Sequence, residues 1–405
     1  MEKQKCPKIR FGGFNGEWRV RSWHDTVDIS TNMVDPRINE YGELFHVGPG
    51  NIESFNGQFY NNVLKVKDSN LISGKFYFKK GDIIYGKINP QLAKYVIAPF
   101  DGLASADAYV LNTKNGVIQN YLYAILQTKD FYKYTVSVSS RTGMPKINRD
   151  ELNIYNYLSP SEAEQTQIGH FFQKLDQSIA LHEKKLSQTQ NLKKTMLEKM
   201  FPKAGSKHPE IRLKGFSGDW EKKLLQDEVE FFSGLTYSPD DLTNKNGTLV
   251  LRSSNVQNNQ ICTDDNVYVV HDAVNVCNVE VGDIIVVVRN GSRGLIGKHA
   301  VINKQMKNTV IGAFMTGVKA KNPYFINALF DTSLFDLAVS RNLGATINQI
   351  TTGMFKQMEF KFPDKTEQIA IGQFFKKIDE TLVLQQQQLQ TLKNLKQAFL
   401  GKMFV

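Results

Sequence analysis

The sequence predicts an α+β protein made of two tandem copies of one unit, each a globular domain followed by a long helix. Register is the first reason. Pro7, Ile9, Arg10, Phe11, Gly13, Phe14, Gly16 and Trp18 recur with unchanged spacing as Pro209, Ile211, Arg212, Leu213, Gly215, Phe216, Gly218 and Trp220. The second reason is a long helical pattern that recurs at nearly the same interval, Glu164-Gln165, Ile168-Gly169, Phe171-Phe172, Lys174 and Asp176 against Glu367-Gln368, Ile371-Gly372, Phe374-Phe375, Lys377 and Asp379. The third is that short β-type runs broken by Gly, Asn and Asp fill the residues ahead of each helix. A period of about 200 residues lies far beyond the roughly 20 to 50 of a solenoid, so the copies are two modules with pseudo-two-fold symmetry. The expected segments are a first domain at 1–158, its helix at 159–201, a second domain at 202–362 and its helix at 363–405.

In chain order, strands are expected at Gln58–Val66, Asp82–Tyr85 and Ala106–Leu111, then at Thr248–Arg252, Asn266–Val270 and Asp283–Val288. Gly81-Asp82-Ile83-Ile84 and Gly282-Asp283-Ile284-Ile285 mark one strand shared by both domains. Ile118–Lys133 and Pro323–Ser340 lack strand alternation and supply a helical second layer.

The first long helix starts at Ser161, where Glu164 three residues on makes a capping box, and ends before Pro202. Its apolar face is Ile168, Phe172, Leu175, Ile179, His182, Leu186, Leu192 or Lys193, Met196 or Leu197, and Met200. The second starts behind Pro363-Asp364 with Ile371, Phe375, Ile378, Leu382, Leu389, Leu392, Leu395, Phe399 and Met403. Each is on the order of 60 Å long at 1.5 Å per residue. A stripe of that length exceeds one small domain, so the two helices are expected to pair as an antiparallel coiled coil; the alternative is that each covers its own domain. Gln385–Gln388, Lys184-Lys185 and Lys193-Lys194 read as solvated faces unless a partner subunit contacts them.

The chain has 405 residues, enough for two cores, and 50 Lys and Arg against 40 Asp and Glu give a charge of +10. That balance favours an anionic partner, although an ordinarily solvated basic surface has the same composition. Cys6, Cys262 and Cys277 have neither metal-ligand nor redox spacing, which fits a reduced cytoplasmic setting. The polar Met1–Arg10 segment has no signal-peptide core, and no run of about 18 apolar residues predicts a membrane span.

After the shared strand both copies turn polar and basic. The first reads Lys87, Asn89 and Gln91 with Lys94, and the second Arg289, Asn290 and Arg293 with Lys298. A similar mix precedes each helix, Arg141, Lys146 and Asn148, then Arg341, Asn342, Thr346, Asn348 and Gln349; a third place is Arg252-Ser253-Ser254-Asn255. Arg and Lys meet guanine O6 and N7 while Asn and Gln meet adenine N6 and N7, so such loops suit major-groove readout. Any one of them, alone, is equally an ordinary polar loop. The expected DNA-facing set is Lys87, Asn89, Gln91, Lys94, Arg141, Lys146, Arg252, Asn255, Arg289, Asn290, Arg293, Lys298 and Asn348.

Catalytic motifs are missing. Gly291–Lys298 resembles a phosphate loop, but its spacing needs Gly where Ser292 stands, and His299 follows the lysine. There is no dinucleotide or methyl-donor fingerprint, no zinc spacing among seven histidines and no nucleophile elbow, while Pro363-Asp364-Lys365 reads as a helix start.

Two divergent domains with Gly-Asp-Ile-Ile strands, each followed by a Glu-Gln-x-x-Ile-Gly-x-Phe-Phe-x-Lys-x-Asp helix and opened by Arg-Phe/Leu-x-Gly-Phe-x-Gly-x-Trp, resemble the specificity subunit of type I restriction-modification systems. Lys87–Leu92 followed by Ala98–Gly102 is also similar to that family's target-recognition domains. The resemblance implies a non-catalytic reader of double-stranded DNA. Each domain would bind one half of an interrupted asymmetric site, with the paired helices setting the spacing. It also implies two methyltransferase subunits carrying S-adenosylmethionine, and optional restriction subunits using ATP and Mg, with no cofactor on this chain. The competing classes are a coiled-coil scaffold or adaptor without sequence-selective DNA binding, and an enzyme with an unrecognised site.

Overall fold

The computed structural model describes residues 6–139, 143–244, 246–343 and 348–405. It contains two compact units, Met1–Glu183 together with Gln387–Val405, and Lys184–Gln386. The long helices run Glu162–Met200 and Lys365–Leu400, so each gives one stretch to each unit. The domain-then-helix segments expected from sequence are therefore not the packing units: each unit combines one domain with helix stretches from both copies.

In the first unit a four-stranded antiparallel sheet has the order Val27–Ile29, Ala108–Thr113, Ile83–Gly86, Tyr95–Ile97. A five-stranded sheet, whose Phe45–Val47 and Gly102–Ala104 strands run parallel, stands beside it. Side chains on the Ile83 strand alternate: Ile83 and Tyr85 join the core under the helices, and Ile84 joins Val47, Phe78 and Val96 on the other face. In the second unit the matching order is Val229–Ser233, Met315–Ala320, Ile284–Val287, His299–Val301, beside a three-stranded sheet. Here Ile284 and Val286 face the helices while Ile285 and Val287 face Leu249 and Ile311. Burial on both faces explains why the shared strand is written as an unbroken apolar run. Its Gly-Asp lead-in makes a turn in each copy. Gly81 and Gly282 both sit at φ +97°, and the carboxylates of Asp82 and Asp283 accept the backbone N–H of Lys79 at 2.9 Å and of Glu280 at 2.8 Å.

Two local expectations change. Gln58–Val66 holds only the short strand Leu64–Lys65, because the preceding residues close as a loop, with Tyr60 N–H bonded to Asn51 O at 2.8 Å and Asn51 Nδ2 to Asn62 O at 3.1 Å. Each helical insert is two helices, Gln119–Leu126 and Lys129–Ser139, then Pro323–Phe330 and Ser333–Asn342. Both break at a buried threonine. Thr128 Oγ1 accepts the N–H of Phe131 and Thr332 Oγ1 that of Phe335, restarting the helix.

The repeated opening motif has the same job in each unit, which is to dock a helix start. Arg10 makes a bidentate pair with Glu164 at 2.7 and 2.8 Å, and Arg212 does the same with Glu367. Both carboxylates are buried. Glu164 is thereby drawn away from the reciprocal half of the expected capping box; Ser161 Oγ still accepts the Glu164 N–H at 3.4 Å. The second helix is capped by Asp364, whose Oδ1 accepts the N–H of Thr366 and Glu367. Gln165 accepts the N–H of Ile118 and donates to Gly116 O, tying the helix start to the insert. The tryptophans complete the docking: Trp18 packs on Tyr121 and Phe404, and Trp220 on Phe201 and Phe325. The repeated Met-Phe helix ends are thus the partners of the repeated tryptophans.

Within each unit the two helix stretches run antiparallel. In the first, Asp176 pairs with Lys396 at 2.6 Å and Glu183 with Lys393 at 2.7 Å. In the second, Lys193 reaches Asp379 at 2.5 Å and Asp331 at 2.7 Å, and Phe201 packs on Phe375. These contacts correct the helix faces. Lys193, read both as part of a solvated pair and as the alternative to Leu192 on the apolar face, is 12% exposed, while Leu192 is 47% exposed; in the other copy Lys396 is buried and Leu395, expected on the apolar face, is 43% exposed. The lysine turns inward because a buried carboxylate awaits it, and its aliphatic stem packs as a hydrophobe would.

Candidate nucleic-acid interface

In each unit the polar loop after the shared strand is bonded to the segment that precedes the long helix. In the first, Ile147 N–H donates to Lys87 O at 2.9 Å and Asn89 N–H to Pro145 O at 2.7 Å. In the second, Ile350 N–H donates to Val288 O at 2.9 Å and Asn290 N–H to Asn348 O at 3.4 Å. This pairing brings Lys87, Asn89 and Lys146 together in one unit and Arg289, Asn290 and Asn348 together in the other. Residues about 60 positions apart in sequence become one surface, twice over.

The first loop turns at Asn89, which adopts φ +49°, a conformation Asn tolerates better than most residues. Pro90–Leu92 then forms a single turn held by Tyr132, whose hydroxyl donates to Gln91 O at 3.2 Å. The Lys87 ammonium lies 5.6 Å from the centre of the Tyr109 ring. Burial raises the pKa of the Tyr109 hydroxyl, with Arg149 opposing, so it stays protonated and donates to Ile147 O at 3.2 Å. Gln91 and Lys146 are exposed. Lys94 is not available as expected: its ammonium turns inward to Pro49 O at 2.6 Å, closing the loop. Arg141 lies outside the described residues.

In the second unit the candidates divide by what their polar atoms already do. Asn255 corrects an expectation. It is fully buried, its Oδ1 accepts the Arg252 N–H, and its Nδ2 donates to Cys262 O and Asp265 O, so it builds the turn and has no edge left for a base. Arg252 is paired with Asp265 at 2.8 Å. Asn290 donates to Ser253 Oγ at 3.0 Å and accepts from Ser292 N–H, Arg293 donates to Leu343 O, and Asn348 donates to Gly291 O. These four shape the loop. Arg289 and Lys298 are exposed. The Arg289 guanidinium carbon stands 5.0 Å above the centre of the Phe314 ring. Phe314 and Ser253 are contributors that loop composition did not reveal as a pair with Arg289 and Asn290; the only sequence signal was an aromatic residue behind Gly312-Ala313.

Such a surface offers fixed hydrogen-bond donors, mobile cations and aromatic faces, the equipment for binding phosphates and base edges. Among the described residues no three His, Cys, Asp or Glu side chains are grouped to hold a metal ion, and no helix is long and apolar enough to cross a membrane.

Residues 17–191 and 217–394 each match the type I restriction modification DNA specificity domain, one match over most of each copy, and the chain belongs to that family. Relatives bear this out. The chain is similar to the type I restriction enzyme EcoDI specificity subunit of Escherichia coli, 32% identical over 190 residues, which are 45% of this chain and 41% of that one. The alignment thus spans about two-fifths of that relative's length. It is also similar to the MjaVIII specificity subunit of Methanocaldococcus jannaschii, 22% identical over 315 residues, 74% of this chain and 73% of that one. In fold it is similar to the crystal structure of a type I restriction-modification S subunit from M. genitalium, with a TM-score of 0.69 over 99% of both chains at 14% identity.

Proposed function

We propose that this chain is the DNA-reading, non-catalytic subunit of a type I restriction-modification complex. Each unit reads one half of an interrupted, asymmetric site on double-stranded DNA. The observation that carries this reading is the pair of specificity-domain matches, one over each sequence copy, each containing a polar loop locked to the segment before the long helix. Two methyltransferase subunits, and optionally restriction subunits, dock on the complex and bring S-adenosylmethionine, ATP and Mg. Lys87, Gln91 and Lys146 in one unit and Arg289 and Lys298 in the other face the DNA. The second unit's Asn290, Arg293 and Asn348 hold the loop that presents them. The chain's charge of +10 supports approach to a polyanion.

The test is a genome-wide map of N6-methyladenine in cells with and without this gene. Loss of methylation at one two-part motif is the expected result. Unchanged methylation beside an active partner methyltransferase sinks the reading and leaves a scaffold.

A further inference from the structure

Phe314 sits where a core residue should not. Its ring is 53% exposed on the turn before the strand Met315–Ala320. Its backbone is nevertheless fixed, because its carbonyl oxygen accepts the N–H of both Val288 at 2.9 Å and Arg289 at 3.2 Å. That pair of hydrogen bonds to the strand end sets the ring directly under the Arg289 guanidinium, 5.0 Å from the ring centre to the guanidinium carbon. Of the neighbouring basic side chains, Arg252 is paired with Asp265 and Arg293 donates to Leu343 O, while Lys298 is exposed. Among the described residues Arg289 has no ion pair and no side-chain hydrogen bond, only the ring.

A guanidinium seated on an aromatic face keeps its N–H donors free and holds them in a fixed direction. Two parallel donors at that spacing match the O6 and N7 acceptors of guanine, whereas a freely rotating arginine spreads its donors over phosphates and bases alike. We propose that Phe314 is a specificity-determining positioning residue: it holds Arg289 so that its paired N–H groups address one guanine in one half of the target. This rests on the DNA-reading function proposed above.

The test uses the full chain in cells with its own methyltransferase, comparing the wild type with Phe314→Leu, Phe314→Tyr, Arg289→Ala and a gene deletion, by sequencing N6-methyladenine. Leucine keeps an apolar side chain of similar size without a π face, and tyrosine keeps the face. The expected result is that Phe314→Leu relaxes discrimination at a single position on the order of ten-fold. That position should be the one relaxed by Arg289→Ala, with the other half of the motif unchanged and Phe314→Tyr behaving as wild type. An unchanged melting temperature of purified Phe314→Leu separates positioning from unfolding. If Arg289→Ala relaxes the motif and Phe314→Leu does not, or relaxes a different position, the positioning role is overturned while the DNA-reading function stands. If neither variant alters a motif that the deletion abolishes, both roles fall at this site. If the deletion changes nothing, the underlying function is wrong.

Discussion

Asp331 gathers two basic partners inside the second unit. Its carboxylate meets Lys193 at 2.7 Å and His299 at 3.2 Å and accepts a hydrogen bond from Asn259. Burial pushes its pKa up, but His299 and Lys193 outweigh that and hold it below the ordinary value. Asp379, on the same lysine, moves the other way, raised by burial with Lys193 opposing. A carboxylate depressed in the fold contributes stability above its unfolded pKa and loses it as pH falls through the folded one. Asp331 should therefore give the second unit an acid-labile limb below about pH 4, the unfolded aspartate range. Asp331→Asn should flatten that limb while lowering stability near neutrality, because Lys193 and His299 lose a shared acceptor. Melting temperatures of both proteins from neutral to acid pH check it; parallel curves would refute the assignment. The corresponding residue of the other copy is the uncharged Gln127; the Asp176 it contacts has its pKa raised by burial, with Lys396 and then Gln127 opposing, so this position contributes no depressed carboxylate in the first unit.

At the scale of elements, the long helices depend on two glycines that periodicity alone would have judged weak points. A Cβ built on Gly372 would lie 2.7 Å from the backbone nitrogen of Phe325, and one on Gly169 would lie 2.8 Å from the Cβ of Asn120 and 2.9 Å from the backbone of Asn120 and Tyr121. These are backbone atoms and a Cβ fixed to them, so neither side can swing away. Gly372→Ala would gain up to about 1 kcal/mol of helix propensity. Overpacking of a fixed contact costs about 1–3 kcal/mol. Set against the full propensity gain, the net expectation is a loss of up to about 2 kcal/mol, read as a lower denaturation midpoint with an unchanged slope. A stabilised variant would mean the insert can retreat from the helix. The glycine was legible as part of the repeated Ile-Gly pair, but its reason lay in a helix some 50 residues away in sequence. The Leu-Lys positions illustrate the same limit. A 3.6-residue period leaves Leu192 or Lys193 open and places Leu395 on the inner face, and only the carboxylates of Asp379 and Asp176 across the helix pair select the lysine.

For the whole molecule, the chain's last ten residues belong to the unit built by its beginning. Lys396 pairs with Asp176, Phe399 packs on Phe171, Leu400 and Met403 join the first core, and Phe404 packs on Trp18 and Tyr121. Ile9 N–H bonds Lys402 O at 3.0 Å, as Ile211 N–H bonds Lys199 O at 2.9 Å in the second unit. Deleting residues 396–405 should therefore open the first unit and spare the second. In limited proteolysis, cleavage should concentrate within 6–183, leaving a protected fragment that contains Trp220 to Phe375. Uniform cleavage of both units would contradict their separate cores.

The duplication, the α+β class, the shared apolar strand, the long helices and the lack of recognisable catalytic motifs are all legible in the linear chain. Those properties are carried by spacing, which survives in a linear string. It also located the polar loops that gather in each unit, since Lys87 to Gln91 and Arg289 to Arg293 follow directly on the repeated strand. Which unit receives each helix stretch, which lysine turns inward and which loop residues are free become visible once the chain is packed. Asn255 and Arg289 differ little as polar residues in basic loops, yet one is buried with its amide saturated and the other stands open on Phe314. The reason is that availability of a hydrogen-bonding group depends on the partners that distant segments bring to it, and a linear pattern records the donor without its neighbours.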